Sequence, residues 1–248
     1  MTKTILITGA SSGLGAEMAR QFADRGHDLA LGARRTEKLE ALKGEILARH
    51  PQRRIEIRAL DVTDDDQVFE VFHAFADDFG TLDRVVINAG LGKGTPLGTG
   101  RYDANRETAM TNFIGALAQA EAAMEIFRAQ ERGHLVMISS MSAMRGMPKA
   151  MTTYAATKAG VAHLAEGLRA ELHGTRIKVS VIYPGFIDSE MNDVPGAQPF
   201  QVSTEKGVKA IVHAIEKEKA SASVPPLPWA PLGVVMKLAP DAVMKKMV

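Results

Sequence analysis

The feature that most constrains the fold of this sequence is a regular alternation of short apolar runs with longer segments of helical periodicity. The runs typical of strands lie at residues 5–7, 29–31, 55–57, 85–87, 135–138 and 179–182. The helical segments lie at residues 13–25, 36–48, 63–79, 104–129 and 152–172, with Thr63 or Asp64 as a candidate cap of the third. Such alternation indicates repeated β-α-β units, which build a parallel sheet with helices on both faces.

The length of the chain fits one such unit. Doubly wound sheets of about 200–250 residues commonly form a single domain, and the chain has 248 residues without an internal repeat or a dividing linker. We therefore predict an α/β fold over residues 1–248, a single-domain Rossmann-type doubly wound parallel sheet of about seven strands.

Composition excludes several classes of protein and site. The chain has no cysteine, which excludes disulfides, thiolate metal sites and a cysteine nucleophile, and its histidines show no ligand spacing with carboxylates. Thirty basic and 29 acidic residues leave a net charge of +1, so no global field attracts nucleic acid or membranes. No apolar run approaches the roughly 18 residues of a transmembrane helix, and the N-terminus lacks a signal peptide. These features predict a cytoplasmic protein that binds neither metal nor nucleic acid.

A glycine-rich turn directly follows the first strand and reads Thr8-Gly9-Ala10-Ser11-Ser12-Gly13-Leu14-Gly15. Glycines permit a tight turn and close backbone approach, and the following helix N-terminus offers free N–H groups with a partial positive charge. At the carboxyl edge of a parallel sheet, such a turn favours the pyrophosphate of a dinucleotide. A plain glycine-rich connection is the alternative interpretation.

Two other motifs in or near this region are disfavoured. Residues 9–13 match the G-x-S-x-G nucleophile elbow, which would make Ser11 the nucleophile of a hydrolase. That fold needs strands ahead of the elbow, and only eight residues precede Gly9. Gly92-Lys93 is followed by Gly94 instead of serine or threonine, so it is not a phosphate-binding Walker motif.

Two arginines, Arg34 and Arg35, follow the second strand, and no carboxylate lies between Asp28 and Glu37. An acidic residue at this place would bind a ribose 2′-hydroxyl, whereas arginine accommodates a 2′-phosphate with its planar donor fork. The sequence therefore favours NADP(H) over NAD. The alternative is a pair of solvated arginines at the start of a helix.

Tyr154 and Lys158 lie four residues apart on a predicted helix, so their side chains share one face. We expect the nearby cation to lower the pKa of the phenol, which could then exchange a proton with a carbonyl or alcohol oxygen. Ser139 and Ser140 end the fifth strand, at the same sheet edge as the glycine-rich turn.

Together these pieces resemble the short-chain dehydrogenase/reductase family over about residues 1–215. The matching pieces are Thr8–Gly15, Asp61-Val62, Asn88-Ala89-Gly90, Asn112, Ser140, Tyr154 with Lys158, and Pro184-Gly185. The resemblance implies a catalytic tetrad with Tyr154 as acid/base. Lys158 would bind the nicotinamide ribose and lower the tyrosine pKa. Ser140 would polarise the substrate oxygen, and Asn112 would organise a helix and a proton-relay water.

The resemblance also implies a set of cofactor-binding residues. These are Gly9, Ser11, Ser12, Gly13, Leu14, Gly15, Arg34, Arg35, Asp61, Val62, Asn88, Ala89, Gly90, Tyr154, Lys158, Pro184, Gly185, Ile187 and Ser189. Asp61 and Val62 would hold the adenine, and the turn from Pro184 to Ile187 would contact the carboxamide. The implied protein is an NADP(H)-dependent oxidoreductase acting on a small carbonyl or secondary alcohol, as a homodimer or homotetramer. A dinucleotide-binding regulator is the alternative, against which the intact tetrad argues.

Several residues depart from the family pattern. Tyr154 lies fourteen residues after Ser140, one more than the usual spacing, which predicts an insertion between residues 141 and 153 and makes Ser142 a rival for the hydroxyl role. Ile87 replaces a frequent asparagine, and Ser189 replaces a more usual threonine but keeps the hydroxyl.

Two segments interrupt the alternation and are candidates for substrate recognition. Residues 184–203 form an irregular stretch that we predict to be a substrate loop. Residues 221–248 form a proline-rich apolar tail around Trp229, which could pack on a second subunit, cover the substrate loop or, with Lys237, Lys245 and Lys246, touch a membrane surface. We favour packing over membrane contact.

A series of methionines lies beside the predicted site, at residues 137, 141, 144, 147 and 151, with Met191 in the loop. Methionine is flexible and frequent at adaptable binding surfaces, so the series predicts an apolar pocket for a hydrophobic substrate. Core filling is the alternative, and for Met137 we favour it.

Overall fold

The protein is built on a seven-stranded parallel sheet. The computed structural model describes residues 2–92, 94–189 and 198–245. Its strands are β1 (Thr4–Thr8), β2 (Asp28–Ala33), β3 (Ile55–Ala59), β4 (Arg84–Ile87), β5 (Gly133–Ile138), β6 (Ile177–Pro184) and β7 (Ser221–Val224). They pair in parallel in the order β3-β2-β1-β4-β5-β6-β7. The order reverses between β1 and β4, which opens a crevice at their carboxyl ends. The predicted doubly wound sheet is confirmed.

Helices cover both faces of this sheet. They are α1 (Gly13–Asp24), α2 (Thr36–Arg49), α3 (Asp65–Phe79), α4 (Tyr102–Ala109), α5 (Gly115–Gln130), α6 (Met151–Glu171), α7 (Thr204–Glu216), α8 (Pro226–Leu238) and α9 (Asp241–Met244). One apolar cluster lies under α3, α5 and α6, and the other lies under α1, α2 and α7. In β1, Leu6 faces the first cluster while Ile5 and Ile7 face the second. Because both faces are buried, the central parts of the inner strands are continuous apolar runs, as at residues 5–7, 85–87 and 135–138.

The long helix expected over residues 104–129 is interrupted. Its two parts, α4 and α5, are joined by a π-helical turn at Met110–Ile114, which carries Asn112. A π-turn inserts an extra residue into the helical ladder and is frequent at functional sites. This turn directs Asn112 towards the segment after β4. The N-cap of α3 is Asp64, one of the two residues predicted for that position. Its side chain accepts a hydrogen bond from the Gln67 backbone N–H.

The C-terminal part of the chain is more regular than its prolines suggest. Residues 221–224, at the start of the predicted tail, form β7, and α7 and α8 were not expected. Leu227 is non-helical, so Pro228 and Pro231 fall in the first turn of the regular part of α8. Backbone N–H groups there have no helical acceptor, so proline is tolerated. Residues 190–197, including Met191, and Lys246 lie outside the described residues. Within those, no helix is both long and apolar enough to cross a bilayer.

A buried ionic network lies at the amino-terminal edge of the sheet. The Arg84 side chain, which is fully buried, donates from Nε to His134 Nδ1 at 3.0 Å and from Nη1 to Glu216. His134 Nε2 lies 2.7 Å from Ser180 Oγ. Because arginine can only donate, Nδ1 accepts and the neutral imidazole carries its proton on Nε2. Burial, reinforced by the charge of Arg84, lowers the pKa of His134 to about 3.

The neutral state of His134 makes stability depend on pH. Its pKa is lowered on folding from 6.5 to about 3, so its contribution is complete above pH 6.5 and is lost as the unfolded chain takes up the proton. We expect the free energy of unfolding to fall by about 2 kcal/mol from pH 7 to pH 5 through this group, as measured by urea denaturation. His134→Gln should remove this pH-dependent part of the free energy of unfolding, since an amide can also accept from Arg84 and donate to Ser180 without titrating. A pH dependence in His134→Gln equal to that of the matched variant His163→Gln would contradict this account.

Candidate active site

The glycine-rich turn packs tightly against the end of β4. Gly9 and Gly13 have positive φ values of 64° and 52°. A Cβ at Gly9 would lie 2.8 Å from Ala89 Cα, and one at Gly15 would lie 2.3 Å from the Gly9 carbonyl oxygen. Positions 9 and 15 therefore require glycine. The turn leads into the N-terminus of α1, where Ser12 is the N-cap and Leu14 is half-buried.

The segment after β4 is held beside this turn by Thr8. The buried Thr8 hydroxyl accepts hydrogen bonds from the backbone N–H groups of Asn88 and Ala89, at 3.1 and 3.2 Å. The Asn88 amide donates in return to the Thr8 carbonyl at 3.0 Å. These bonds place Asn88, Ala89 and Gly90 along the crevice between β1 and β4. The role of Thr8 was missed because a lone threonine carries no spacing signal.

Both arginines lie beside the glycine-rich turn. Arg35 donates to Ser12 Oγ at 2.6 Å and to Ser11 Oγ at 3.2 Å. Arg34 is exposed and close enough to Asp61 to act on its pKa. Burial alone would raise the pKa of Asp61, but hydrogen bonds from Thr63 and the charge of Arg34 lower it overall. Two guanidinium groups and one carboxylate therefore meet at one end of the crevice.

Val62, next to Asp61, is buried against the start of α5. Its side chain is 6% exposed, and a Cβ at Gly115 would lie 2.3 Å from the Val62 carbonyl oxygen. Close packing against the helix thus holds the Asp61-Val62 segment at the end of the crevice.

The other end of the crevice carries Tyr154, Lys158 and Ser140. The Ser140 side chain lies close enough to the Tyr154 phenol to act on its pKa. Lys158 is buried and its Nζ donates to the Ile138 carbonyl at 3.0 Å, while lying 6.0 Å from the Tyr154 ring centroid. These side chains converge because α6 packs across the carboxyl end of β5.

The pKa values at this end differ from the expectation. Burial raises the pKa of the Tyr154 phenol, and the nearby Ser140 side chain opposes only part of that rise. Burial also lowers the pKa of Lys158 to about 8. The expected lowering of the phenol pKa is therefore wrong for this arrangement, because the ammonium is bonded to a backbone carbonyl and desolvation dominates.

Asn112 is fixed by two backbone bonds to the segment after β4. Its Oδ1 accepts from the Leu91 N–H and its Nδ2 donates to the Leu91 carbonyl, both at 2.8 Å. A Cβ at Gly90 would lie 3.1 Å from Asn112 Oδ1 and 3.4 Å from Lys158 Nζ. Asn112, Gly90 and Lys158 therefore meet at one place.

Ser140 and Ser142 occupy different environments. Ser140 caps a short 3₁₀ turn at Met141–Met144, accepting from the Ser142 N–H at 3.2 Å. Ser142 Oγ is buried and has no hydrogen-bond partner among the described residues. Of the two hydroxyls, that of Ser140 is the one near enough to the phenol to act on its pKa.

The segment after β6 crosses back towards the glycine-rich turn. Pro184 ends β6, and the Gly185 N–H donates to the Val224 carbonyl at 2.9 Å. Ile187 is 1% exposed and pairs with Val202. A Cβ at Gly13 would lie 3.5 Å from Ser189 Cβ. The crevice is thus bounded by the turns after β1, β4 and β6. No group of three or more potential metal ligands occurs among the described residues.

Comparison with known proteins identifies the family. The model described as short chain dehydrogenase matches residues 3–199. The chain belongs to the short-chain dehydrogenase family. It is therefore an oxidoreductase with a nicotinamide dinucleotide cofactor, and the family resemblance read from the sequence is confirmed.

Individual relatives cover nearly the whole chain. An uncharacterized oxidoreductase of Mycobacterium tuberculosis is 48% identical over 242 residues, 98% of this chain and 96% of the relative. A short-chain dehydrogenase from Sphingobium yanoikuyae in complex with NADPH is 26% identical with a TM-score of 0.84, over 99% of this chain and 96% of that chain. A bulky-bulky ketone specific alcohol dehydrogenase from Comamonas testosteroni is 27% identical with a TM-score of 0.80, over 99% and 95%.

Proposed function

We propose that the chain is an NADP(H)-dependent oxidoreductase that interconverts an apolar carbonyl compound and its secondary alcohol, with Tyr154 as acid/base. The observation that carries the proposal is the convergence of Tyr154, Ser140 and buried Lys158 at the carboxyl end of β5. These groups lie at the same sheet edge as the glycine-rich turn. Reduction of ketones by the purified protein with NADPH tests the proposal directly.

The residues of the crevice fit a nicotinamide dinucleotide. The turn from Gly9 to Gly15 has no side chain at positions 9 and 15, which lie nearest the neighbouring backbone, and the α1 N-terminus favours an anion there. Gly90 leaves Lys158 Nζ accessible from the crevice side, since a Cβ there would lie only 3.4 Å from it. Lys158 is suited to bind the nicotinamide ribose, and the Pro184–Ile187 turn and Ser189 to contact the carboxamide.

In the proposed mechanism, the cofactor supplies or accepts the hydride, and the protein holds the substrate oxygen and moves its proton. Tyr154 Oη donates a proton to the carbonyl oxygen during reduction and accepts it back during oxidation. The raised pKa of the phenol keeps it protonated at neutral pH, which is the state that reduction needs. Ser140, beside the same phenol, holds the oxygen in reach. Lys158 is held beside the phenol, with its Nζ 6.0 Å from the ring centroid, and Asn112 orders the segment after β4.

The preference for NADP(H) rests on the two arginines. Arg35 lies against Ser11 and Ser12, and Arg34 lies near Asp61, so both can reach a phosphate on the adenosine ribose. The end of β2 carries no carboxylate that would bind a 2′-hydroxyl instead. The NADPH complex of the Sphingobium yanoikuyae relative is consistent with this preference.

Arg34→Asp should shift the cofactor preference. A charged hydrogen bond contributes about 1.5–3 kcal/mol, so we expect the ratio of kcat/KM for NADPH to that for NADH to fall by roughly 10- to 100-fold. The measurement is initial rates with both cofactors at a fixed ketone concentration. Arg132→Asp, with the same charge change at the opposite sheet edge, should leave the ratio unchanged. If Arg34→Asp also leaves it unchanged, Arg34 does not bind the phosphate.

Two further features stay predictions from the sequence. Members of this family are typically oligomeric, and we propose a homodimer or homotetramer, which mass measurement in solution tests. A cytoplasmic location and the absence of nucleic-acid binding rest on composition and charge alone.

A further inference from the structure

One face of helix α8 packs against the rest of the protein. Trp229, Gly233 and Met236 are buried and lie four and three residues apart, so they share one face. Trp229 and Met236 are each 4% exposed, whereas Leu238 on the same helix is 80% exposed. The apolar helix therefore packs through a specific stripe, and the partners of that stripe are segments of the candidate active site.

The indole of Trp229 lies against the segment that follows β6. A Cβ at Gly185 would lie 2.0 Å from the indole Cε2, so only glycine at that position leaves room for the ring. The rings of Phe186 and Phe200 meet the indole edge-on, at centroid distances of 5.5 and 6.2 Å. In the sequence, Phe186 precedes and Phe200 follows residues 190–197. The indole thus contacts the described parts of the predicted substrate loop on both sides.

One helical turn further on, α8 contacts the segment that follows Ser140. A Cβ at Gly233 would lie 2.9 Å from Met141 Cε and 3.6 Å from Met144 Cγ. Met141, Trp229 and Met236 form one apolar cluster, against which Met144 and Met147 pack. This cluster joins the segment that follows Ser140 to the turn from Pro184 to Ile187. By contrast, Met137 belongs to the core under the sheet.

Two polar atoms on this cluster are buried without hydrogen bonds to the described residues. They are Trp229 Nε1 and Ser142 Oγ, whose side chains lie in residues 4% and 8% exposed. Leaving a buried donor unpaired costs about 1–3 kcal/mol, and such groups in native proteins usually have a functional explanation. Trp229 Nε1 and Ser142 Oγ therefore each lack a polar partner, among the described residues, beside the segments that flank the site.

We propose that α8 forms one wall of the substrate site and that Trp229 is a specificity-determining residue. The indole limits the size of the apolar substituent that flanks the reacting carbonyl. The substrate class is then a ketone or secondary alcohol with an apolar substituent in contact with Trp229 and the methionines of the wall. This inference rests on the proposed function and deepens it.

A size-selection experiment tests this role. The substrates are 2-butanone and acetophenone, which share the methyl ketone and differ in the second substituent. We expect Trp229→Ala to raise the ratio of kcat/KM for acetophenone to that for 2-butanone at least tenfold, and Trp229→Phe to give a smaller change in the same direction. Leu238→Ala, on the exposed face of the same helix, should leave the ratio unchanged. Equal losses for both ketones in Trp229→Ala and Trp229→Phe would overturn the proposal.

A binding experiment on the unmodified protein keeps the proposal testable if a variant fails to fold. Trp229 is the only tryptophan of the chain, so indole emission reports on this wall alone. NADPH should quench that emission by energy transfer, and 1-phenylethanol added to the NADPH complex should change it saturably. Quenching by NADPH without a response to 1-phenylethanol would overturn the proposal that α8 lines the substrate site, and would leave the proposed function standing. Absence of both NADPH binding and ketone reduction would instead overturn the proposed function.

Discussion

Tyr154→Phe is expected to lower kcat for NADPH-dependent ketone reduction about a thousandfold or more, while NADPH binds nearly as tightly as before. The substitution removes the phenol hydroxyl beside Ser140 and leaves the ring in place. Positioned proton transfer contributes about 10²–10⁴-fold to catalysis, and this phenol is the group proposed to supply it. Steady-state kinetics give the loss in kcat, and quenching of Trp229 emission gives the dissociation constant of NADPH.

The matched control for this variant is Tyr102→Phe. Tyr102 begins α4 and is 75% exposed, so the same loss of one hydroxyl should leave kcat unchanged. If Tyr154→Phe keeps kcat within tenfold of the wild type, another group transfers the proton. If it loses kcat and NADPH binding together, the phenol supports the structure of the crevice, and the acid/base assignment is wrong.

Glu216→Ala is expected to lower the free energy of unfolding by about 1–3 kcal/mol, because it removes the nearest carboxylate of the buried Arg84 guanidinium and leaves only Glu218, at 4.0 Å. A hydrogen bond with His27 holds the pKa of Glu216 at about 2, against the effect of burial and with the help of Arg84. The carboxylate is thus ionised at neutral pH. Urea denaturation at pH 7 measures the loss.

Two comparisons separate this effect from a general sensitivity to mutation. Glu45→Ala removes a carboxylate that pairs with Arg20 and Arg49 on the surface, at 2.7 and 2.8 Å, and should cost under about 1 kcal/mol. The double variant Arg84→Met with Glu216→Ala should lose less than the sum of the two single losses, since it leaves no unpaired charge. A loss in Glu216→Ala no larger than that in Glu45→Ala would contradict the buried-pair account.

The parts of the fold that the sequence predicted well depend on local patterns. Strands buried on both faces need apolar residues in their central parts, as in residues 5–7, and this leaves a continuous signal. The glycine-rich turn was readable because Gly9 and Gly15 each lie where a side chain would collide with neighbouring backbone. The caps of α3 and the four-residue spacing of Tyr154 and Lys158 are likewise local features.

The missed features depend on distant partners. The tail was predicted to pack against protein, but β7 and α8 were not foreseen: β7 is held by pairing with β6, and Trp229 is buried by Gly185 and the rings of Phe186 and Phe200. The π-turn carries Asn112, and its hydrogen bonds to Leu91 cannot be predicted from helical periodicity. The direction of the Tyr154 pKa shift was missed because spacing on a helix gives proximity to a charge but not desolvation.

The sequence by itself determined the doubly wound sheet, the turn after β1 and the family of the chain, because those depend on periodicity and on motifs read in order. The tertiary structure alone decided how the groups act on one another. It brought Ser140, and not Ser142, to the phenol, set Arg35 against Ser11 and Ser12, and buried Arg84 with Glu216. It also placed the C-terminal helix over the segments that flank the site. Burial and hydrogen bonding arise between segments far apart in the chain, so they become defined only when the sheet and its helices are assembled.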